Sequence, residues 1–248
     1  MKCTASRARP VGHVVRSGRR TSGAVAAAAA GASEGAPRAA PLRMIVLRHS
    51  DSCTEDSTLK DHDRPLTAWG RELASGLGRN LNEAGWAAPD LVLCSASQRS
   101  RETLKELVRV AGGIASAETH FLGSLYTFAA MDGVTADHLR ETIVAKEEER
   151  RGKVRTVMCI GHNKGWEEAA SEFAGSKVKL EVANAALLEC ESAEVATWEE
   201  AFAEGSGVKW KMLGVVEHGI PDQAAPPECE ALGFEASQGD GPTPMPSV

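Results

Sequence analysis

The chain has 248 residues, of which 28 are basic and 34 acidic, with 42% hydrophobic and 4% aromatic residues and six cysteines. Eight of the basic residues but only one acid, Glu34, fall in residues 1–43, which leaves 20 basic against 33 acidic side chains in the remainder, a net charge of −13. Such a body repels nucleic acid and anionic lipid over a Debye length of about 8 Å, and it contains no run of about 20 apolar residues to span a membrane, so any anionic ligand must be taken in a local pocket.

Residues 1–43 are rich in Ala, Ser, Gly and Arg and show no sustained apolar periodicity. This is the composition of a transit peptide or a disordered basic extension, and it lacks the continuous apolar stretch of a secretory signal. The Ser and Ala content points to the chloroplast, with the mitochondrion as the alternative. A start at Met44 would give a cytoplasmic form.

Residues 44–218 are expected to form one domain, long enough for a proper core. Residues 219–248 hold six prolines, five acids and no Lys or Arg, and read as a disordered acidic tail. The cysteines show no CxxC spacing, which argues against a zinc site or a disulfide framework. Cys94 and Cys159 sit in apolar runs and read as buried thiols. Cys53 lies close to the first strand, with a redox role as the minor reading.

In chain order, the first element is "MIVL" (44–47), an apolar run that ends in Arg48-His49. "LTAWGRELASGLGRNLNEAG" follows, a helix with Leu73, Leu77 and Leu81 on one face and Thr67 as N-cap. The run "LVLC" (91–94) leads into Ser95 and Arg99. A helix over "SQRSRETLKELVRV" then presents Leu104, Leu107, Val108 and Ala111 and stops at Gly112-Gly113. "TADHLRETIVAKEEERRG" reads as a helix with Thr135 as cap candidate. The run "TVMCI" (156–160) ends in Gly161-His162, and a helix over "NKGWEEAASEFAG" starts with Asn163 as a possible cap. Apolar runs without polar alternation suit strands buried on both faces. Their alternation with helices predicts an α/β three-layer sandwich with a largely parallel central sheet.

In such sheets ligands bind beyond the carboxyl ends of the strands. Arg48, His49, Arg99 and His162 all fall there, and Arg99 also lies in the first turn of a helix, where free N–H groups favour an anion. Two guanidinium groups and two imidazoles converging on one rim would suit a phosphoryl group, which Arg matches with paired donors. Asp61-His62-Asp63 reads as a polar loop, with metal binding as the minor alternative.

"LRHS", "CSASQRSRETL" and "IGHN" together resemble the signature of the histidine phosphatase superfamily, the phosphoglycerate mutase-like fold. Ser50 stands in a glycine position, which would strain the backbone only if φ were positive there. The closer resemblance is to its small phosphohistidine phosphatase subgroup, on "DHDRPLTAWG", "GHNKGWEE", and the strands "ANAALLEC" and "VKWKML". The resemblance runs from about Met44 to Glu217. It implies a histidine phosphatase domain without a large helical subdomain, His49 as nucleophile, Arg48, Arg99 and His162 on the phosphoryl oxygens, Arg64 as a further phosphate or supporting contact, and neither metal nor cofactor.

The superfamily often supplies a carboxylic acid from the segment before the third catalytic strand. Asp132 is the candidate here; Asp137 fits better as a solvated helix residue. An acid is dispensable when the leaving group is imidazole, whose conjugate acid has a pKa of about 6.5, and indispensable for an alkoxide. The expected function is therefore a metal-independent phosphatase acting through a phosphohistidine intermediate, with phosphohistidine in a protein as substrate. A small phosphate ester such as a sugar phosphate, or an inactive phosphate-binding module, is the alternative. The partner is a phosphoprotein or a small phosphorylated molecule, and the sequence assigns no oligomeric state.

Overall fold

The computed structural model describes residues 40–150, 153–192, 194–203 and 205–220. The expected transit segment, up to residue 39, and the expected tail from residue 221 lie outside them. The elements in order are β1 (Arg43–Arg48), α1 (Ala68–Glu83), β2 (Leu91–Ser95), α2 (Gln98–Val110), β3 (Glu118–Leu122), α3 (Ser124–Thr127), α4 (Thr135–Glu149), β4 (Thr156–Gly161), α5 (Asn163–Ala174), β5 (Ala185–Cys190), α6 (Trp198–Phe202) and β6 (Trp210–Val216).

The sheet order is β3-β2-β4-β1-β5-β6. Strands β1 to β4 pair in parallel, and β5 runs antiparallel to both β1 and β6. Alternate residues of β1 feed two cores. Met44 and Val46 pack with Leu139, Ile143, Trp166 and Trp198 of α4, α5 and α6, while Ile45 and Leu47 pack with Leu73, Leu77, Leu104 and Leu107 of α1 and α2. Burial on both faces explains why the strand sequences are apolar throughout, and gives the three-layer α/β sandwich. Between α2 and β4 the described residues form only β3, three short helical segments and α4, with no large subdomain over the sheet.

Thr67 caps α1 as expected, its Oγ1 accepting from the Gly70 N–H at 2.8 Å. Two caps lie one residue earlier than the sequence implies. Val134 and His162 hold the cap positions of α4 and α5, and Thr135 and Asn163 are already helical. Thr135 Oγ1 instead donates to the Phe128 carbonyl.

The adjacency of β2, β4 and β1 is what positions the site. Arg48 pairs with Gly161 and Cys94 with Ile160, so three strand ends that carry Arg, Ser and His lie side by side, about 4.8 Å apart from strand to strand.

The folded part also reaches past the expected limits of 44 and 218. Leu42 is 1% exposed in the first core, its carbonyl accepts from Cys190 N at 2.9 Å, and Ile220 packs against the second core. A chain starting at Met44 should therefore lose about 2–4 kcal/mol, the cost of deleting a buried leucine side chain. Urea melts of chains starting at Met1 and Met44 check this; equal midpoints would contradict it.

Candidate active site

His49 leaves β1 with its N–H on the Gly161 carbonyl at 2.9 Å, which fixes it beside β4. Its Nδ1 lies 2.7 Å from the Ser50 carbonyl oxygen. A carbonyl only accepts, so Nδ1 carries the proton and Nε2 presents its lone pair. Arg99 Nε donates to that Nε2 at 3.2 Å. Ser50 causes no strain, because Ala183 is the one non-glycine residue with positive φ among the described residues. Its hydroxyl donates to the Gly70 carbonyl at 2.6 Å, and its N–H donates to Thr103 Oγ1 at 3.0 Å. Thr103 thus ties the loop after β1 to α2.

His162 faces His49 with ring centroids 5.1 Å apart. Arg99 Nη2 donates to its Nδ1 at 3.3 Å, which leaves Nε2–H to donate to Ser95 Oγ at 2.8 Å. Gly161 is required just before it: a Cβ there would lie 2.3 Å from the Trp166 ring.

Arg99 sits in the first turn of α2 and is only 4% exposed. Arg48 uses Nη1 on the Leu180 carbonyl at 2.9 Å, while Arg64 Nη2 pairs with Asp61 Oδ1 at 2.9 Å. The Nε–H groups of Arg48 and Arg64 are buried without a hydrogen-bond partner. Orphaned buried donors are costly.

The structure differs from the sequence reading on the carboxylates. Asp132 pairs with Lys164 and is highly exposed, and Asp137 is solvated beside Arg140. The carboxylate at the arginine cluster is Asp61, whose Oδ2 accepts from Arg99 Nη2 at 2.8 Å and from Tyr126 Oη at 2.7 Å. Tyr126 in turn meets the His162 ring edge-on at 5.2 Å. A fold-level contact between residue 61 and residues 99 and 126 leaves no local trace in sequence. The one available signal was that Tyr126 is the only tyrosine in the chain.

Burial is the main reason the His49 imidazole falls to about 4; the Ser50 carbonyl opposes it, and the charges of Arg99, Arg48 and Arg64 add to it. Burial likewise takes His162 to about 3, helped by His49 and Arg99 and opposed by Asp61. Burial pushes Asp61 upward, but hydrogen bonds from Tyr126 and Arg99 and the charges of Arg99 and Arg64 outweigh it and hold the group at about 2. At neutral pH the site therefore holds two neutral imidazoles and an ionised carboxylate.

Unfolded histidines take up protons near pH 6.5 and these two do not, so between about 6.5 and 4 the unfolded chain binds more protons and stability falls as pH falls. Tm should drop by about 5 °C or more from pH 6.5 to 4.5, and His49→Asn should flatten that slope. An unchanged slope in the variant would contradict the burial of a neutral His49.

Among the described residues no group of three or more His, Cys, Asp or Glu side chains is arranged to hold a metal ion. Cys94, Cys159 and Cys190 are free thiols.

The chain matches no model of a known protein family. It is 45% identical over 174 residues to an uncharacterised Arabidopsis thaliana protein whose name places it in the chloroplast, covering 70% of this chain and 77% of that one. The fold is shared with the SixA protein of Nakamurella multipartitia (TM-score 0.55, 20% identity, 72% of this chain and 97% of that one). It is shared also with the protein histidine phosphatase SixA in complex with tungstate (TM-score 0.54, 17% identity, 71% and 97%). The chain thus belongs to one family with the Arabidopsis protein and has the fold of the SixA structures.

Proposed function

We propose that the chain is a metal-independent phosphatase that works through a phosphohistidine at His49 and takes phosphohistidine in a protein as its substrate. The observation that carries this reading is the His49 imidazole itself. It is buried and neutral, its Nδ1–H is anchored on the Ser50 carbonyl, and its Nε2 lone pair faces Arg99 across from His162.

In the first step the Nε2 lone pair attacks phosphorus and the bond from phosphorus to the leaving imidazole nitrogen breaks, that nitrogen keeping the electron pair and taking a proton from water. In the second, water attacks the phosphoryl group on His49, loses a proton to solvent, and the Nε2–P bond breaks to release phosphate. Splitting the reaction in two is the usual advantage of a covalent nucleophile. Arg48, Arg64 and Arg99 would hold the non-bridging oxygens, where preorganised donors act most strongly on the charge of the transition state, and His162 would join them through Nδ1 once the incoming phosphoryl dianion draws a proton onto it. SixA, which shares the fold, holds tungstate, a tetrahedral oxyanion of the same shape.

The carboxylates support the choice of substrate. Asp61 is ionised and Asp132 is paired with Lys164, so neither is poised as a neutral acid for an alkoxide leaving group. A phosphoramidate needs none. The open rim, free of a large subdomain, suits a side chain on a protein.

The test is to mix the full chain with a labelled phosphohistidine protein and, separately, labelled sugar phosphates, quench in alkali and map the label. Label on His49 from the protein alone is expected. Label from sugar phosphates alone would move the substrate to small esters, and tungstate binding with no label from either would make the chain a binding module.

Residues 1–43 are proposed to direct the chain to the chloroplast, on their basic, Ser- and Ala-rich composition and the chloroplast name of the relative. Fused to a fluorescent protein they should carry it into plastids; cytosolic or mitochondrial fluorescence would contradict this.

A further inference from the structure

Arg99 has two pairs of parallel N–H donors, as every guanidinium does. The inner pair, Nε and Nη2, faces the histidines: Nε donates to His49 Nε2 at 3.2 Å and Nη2 to His162 Nδ1 at 3.3 Å. The outer pair, Nη1 and Nη2, is taken by a single residue. Nη1 donates to the Asp61 backbone carbonyl and Nη2 to Asp61 Oδ2 at 2.8 Å. The same carboxylate accepts from Tyr126 Oη at 2.7 Å and, through Oδ1, from Arg64 Nη2 at 2.9 Å. One side chain thus joins the loop before α1, the first turn of α2 and the helix α3.

The neck of that loop is fixed independently. Ser52 bridges to Leu66, and the Cys53 N–H donates to the Pro65 carbonyl at 2.9 Å. Asp61 therefore reaches Arg99 from a pinned base rather than from a free strand of chain. We propose that Asp61 is a positioning residue of the phosphoryl site, which clamps the outer edge of Arg99 so that the inner edge stays aimed between His49 and His162, and which holds Arg64 and Tyr126 in the same frame. This rests on the reading of that site as a phosphoryl site. A carboxylate ionised at neutral pH suits a clamp on two guanidinium groups and does not suit a proton donor.

A different role is physically available to the same contacts. The alternative role for a carboxylate on Arg99 and Arg64 is that of an internal competitor, expelled when a phosphoryl group arrives. The two roles differ in sign. A clamp, when neutralised, leaves Arg99 free to turn away, and oxyanion affinity falls. A competitor, when neutralised, leaves the arginines vacant, and oxyanion affinity rises. The spatial separation of the two donor edges favours the clamp, because the inner edge remains directed at the histidines while Asp61 is in place.

The experiment uses the full chain, tungstate titrated by calorimetry, and kcat and KM on an aryl phosphate. Asp61→Asn should weaken tungstate about tenfold and lower kcat about 100-fold, the scale of a misaimed catalytic group, with KM changing less. Tyr126→Phe, which removes one bond to the carboxylate, should give a smaller loss of about threefold, and serves if Asp61→Asn does not fold. In an Arg99→Lys background Asp61→Asn should add less than about threefold, because the clamp acts through Arg99. Losses that multiply in the double variant, or tungstate that binds Asp61→Asn as well as or more tightly than the wild type, would overturn the role alone. A wild-type chain that captures no tungstate would overturn the phosphoryl reading and the clamp with it.

Discussion

His49→Asn should lower turnover by about 10⁴-fold or more, the scale of removing a covalent nucleophile that works as part of a unit. Asparagine is the informative replacement. Its amide N–H lies where Nδ1–H does and can still donate to the Ser50 carbonyl that fixes His49 at 2.7 Å, so the loop after β1 keeps its anchor. What disappears is Nε2 and its lone pair. Arg99, His162, Arg48 and Arg64 remain, and tungstate affinity should change by less than about tenfold. The separation of binding from turnover is the point: an anion site that survives while catalysis vanishes identifies His49 as the reacting group rather than a ligand. Single-turnover assays with an aryl phosphate, alongside tungstate titration, check it. Turnover within about tenfold of wild type would contradict a covalent role.

Arg99→Lys should lower kcat by about 100- to 1,000-fold although the charge is kept. Arg99 is almost wholly buried and spans His49, His162 and Asp61 at once. A lysine ammonium is a point charge on a flexible stem and cannot occupy both edges. Arg99→Ala should be little worse than Arg99→Lys, because the geometry and not only the charge is lost. Arg99→Ala alone should also raise the proton affinity of the two imidazoles, since the Arg99 charge helps to keep them neutral; the acid limb of its pH–rate profile should then move to higher pH. A lysine variant that retains a third of the wild-type rate would contradict this account.

The parts of the molecule legible in sequence were those where local chemistry and burial coincide. β1, β2 and β4 are buried on both faces, so they appear as bare apolar runs, and their polar successors mark the rim on which His49, Arg99 and His162 meet. β3 was not legible: it is an edge strand with residues Glu118 and Phe121 exposed, and its sequence "ETHFL" carries no sustained apolar run. The caps of α4 and α5 were misplaced by one residue, because Thr and Asn are common caps while Val134 and His162 hold the positions for tertiary reasons. His162 is constrained by Ser95 and Arg99 rather than by capping. Asp61 was readable only as part of a polar loop, since its partners lie 38 and 65 residues away. Asp132 was attractive because of its place in the chain, yet its neighbour is Lys164.

Position 50 shows the reverse case. A serine in a glycine position is suspect on backbone grounds alone, but the turn does not use positive φ, and the hydroxyl gains a bond to Gly70. Close approach is instead required at Gly70 itself, where a Cβ would lie 2.0 Å from the Asp51 carbonyl oxygen. The small residue that the site demands is present; it stands on the neighbouring helix.

The most direct measurement is a crystal structure of the full chain soaked with orthovanadate. The account predicts vanadium bonded to His49 Nε2, with its oxygens on the Nε–H groups of Arg48 and Arg64, on the inner edge of Arg99 and on His162, and with Asp61 still on the outer edge of Arg99. Vanadate bound elsewhere, or lying among the arginines with His49 turned away from it, would contradict it.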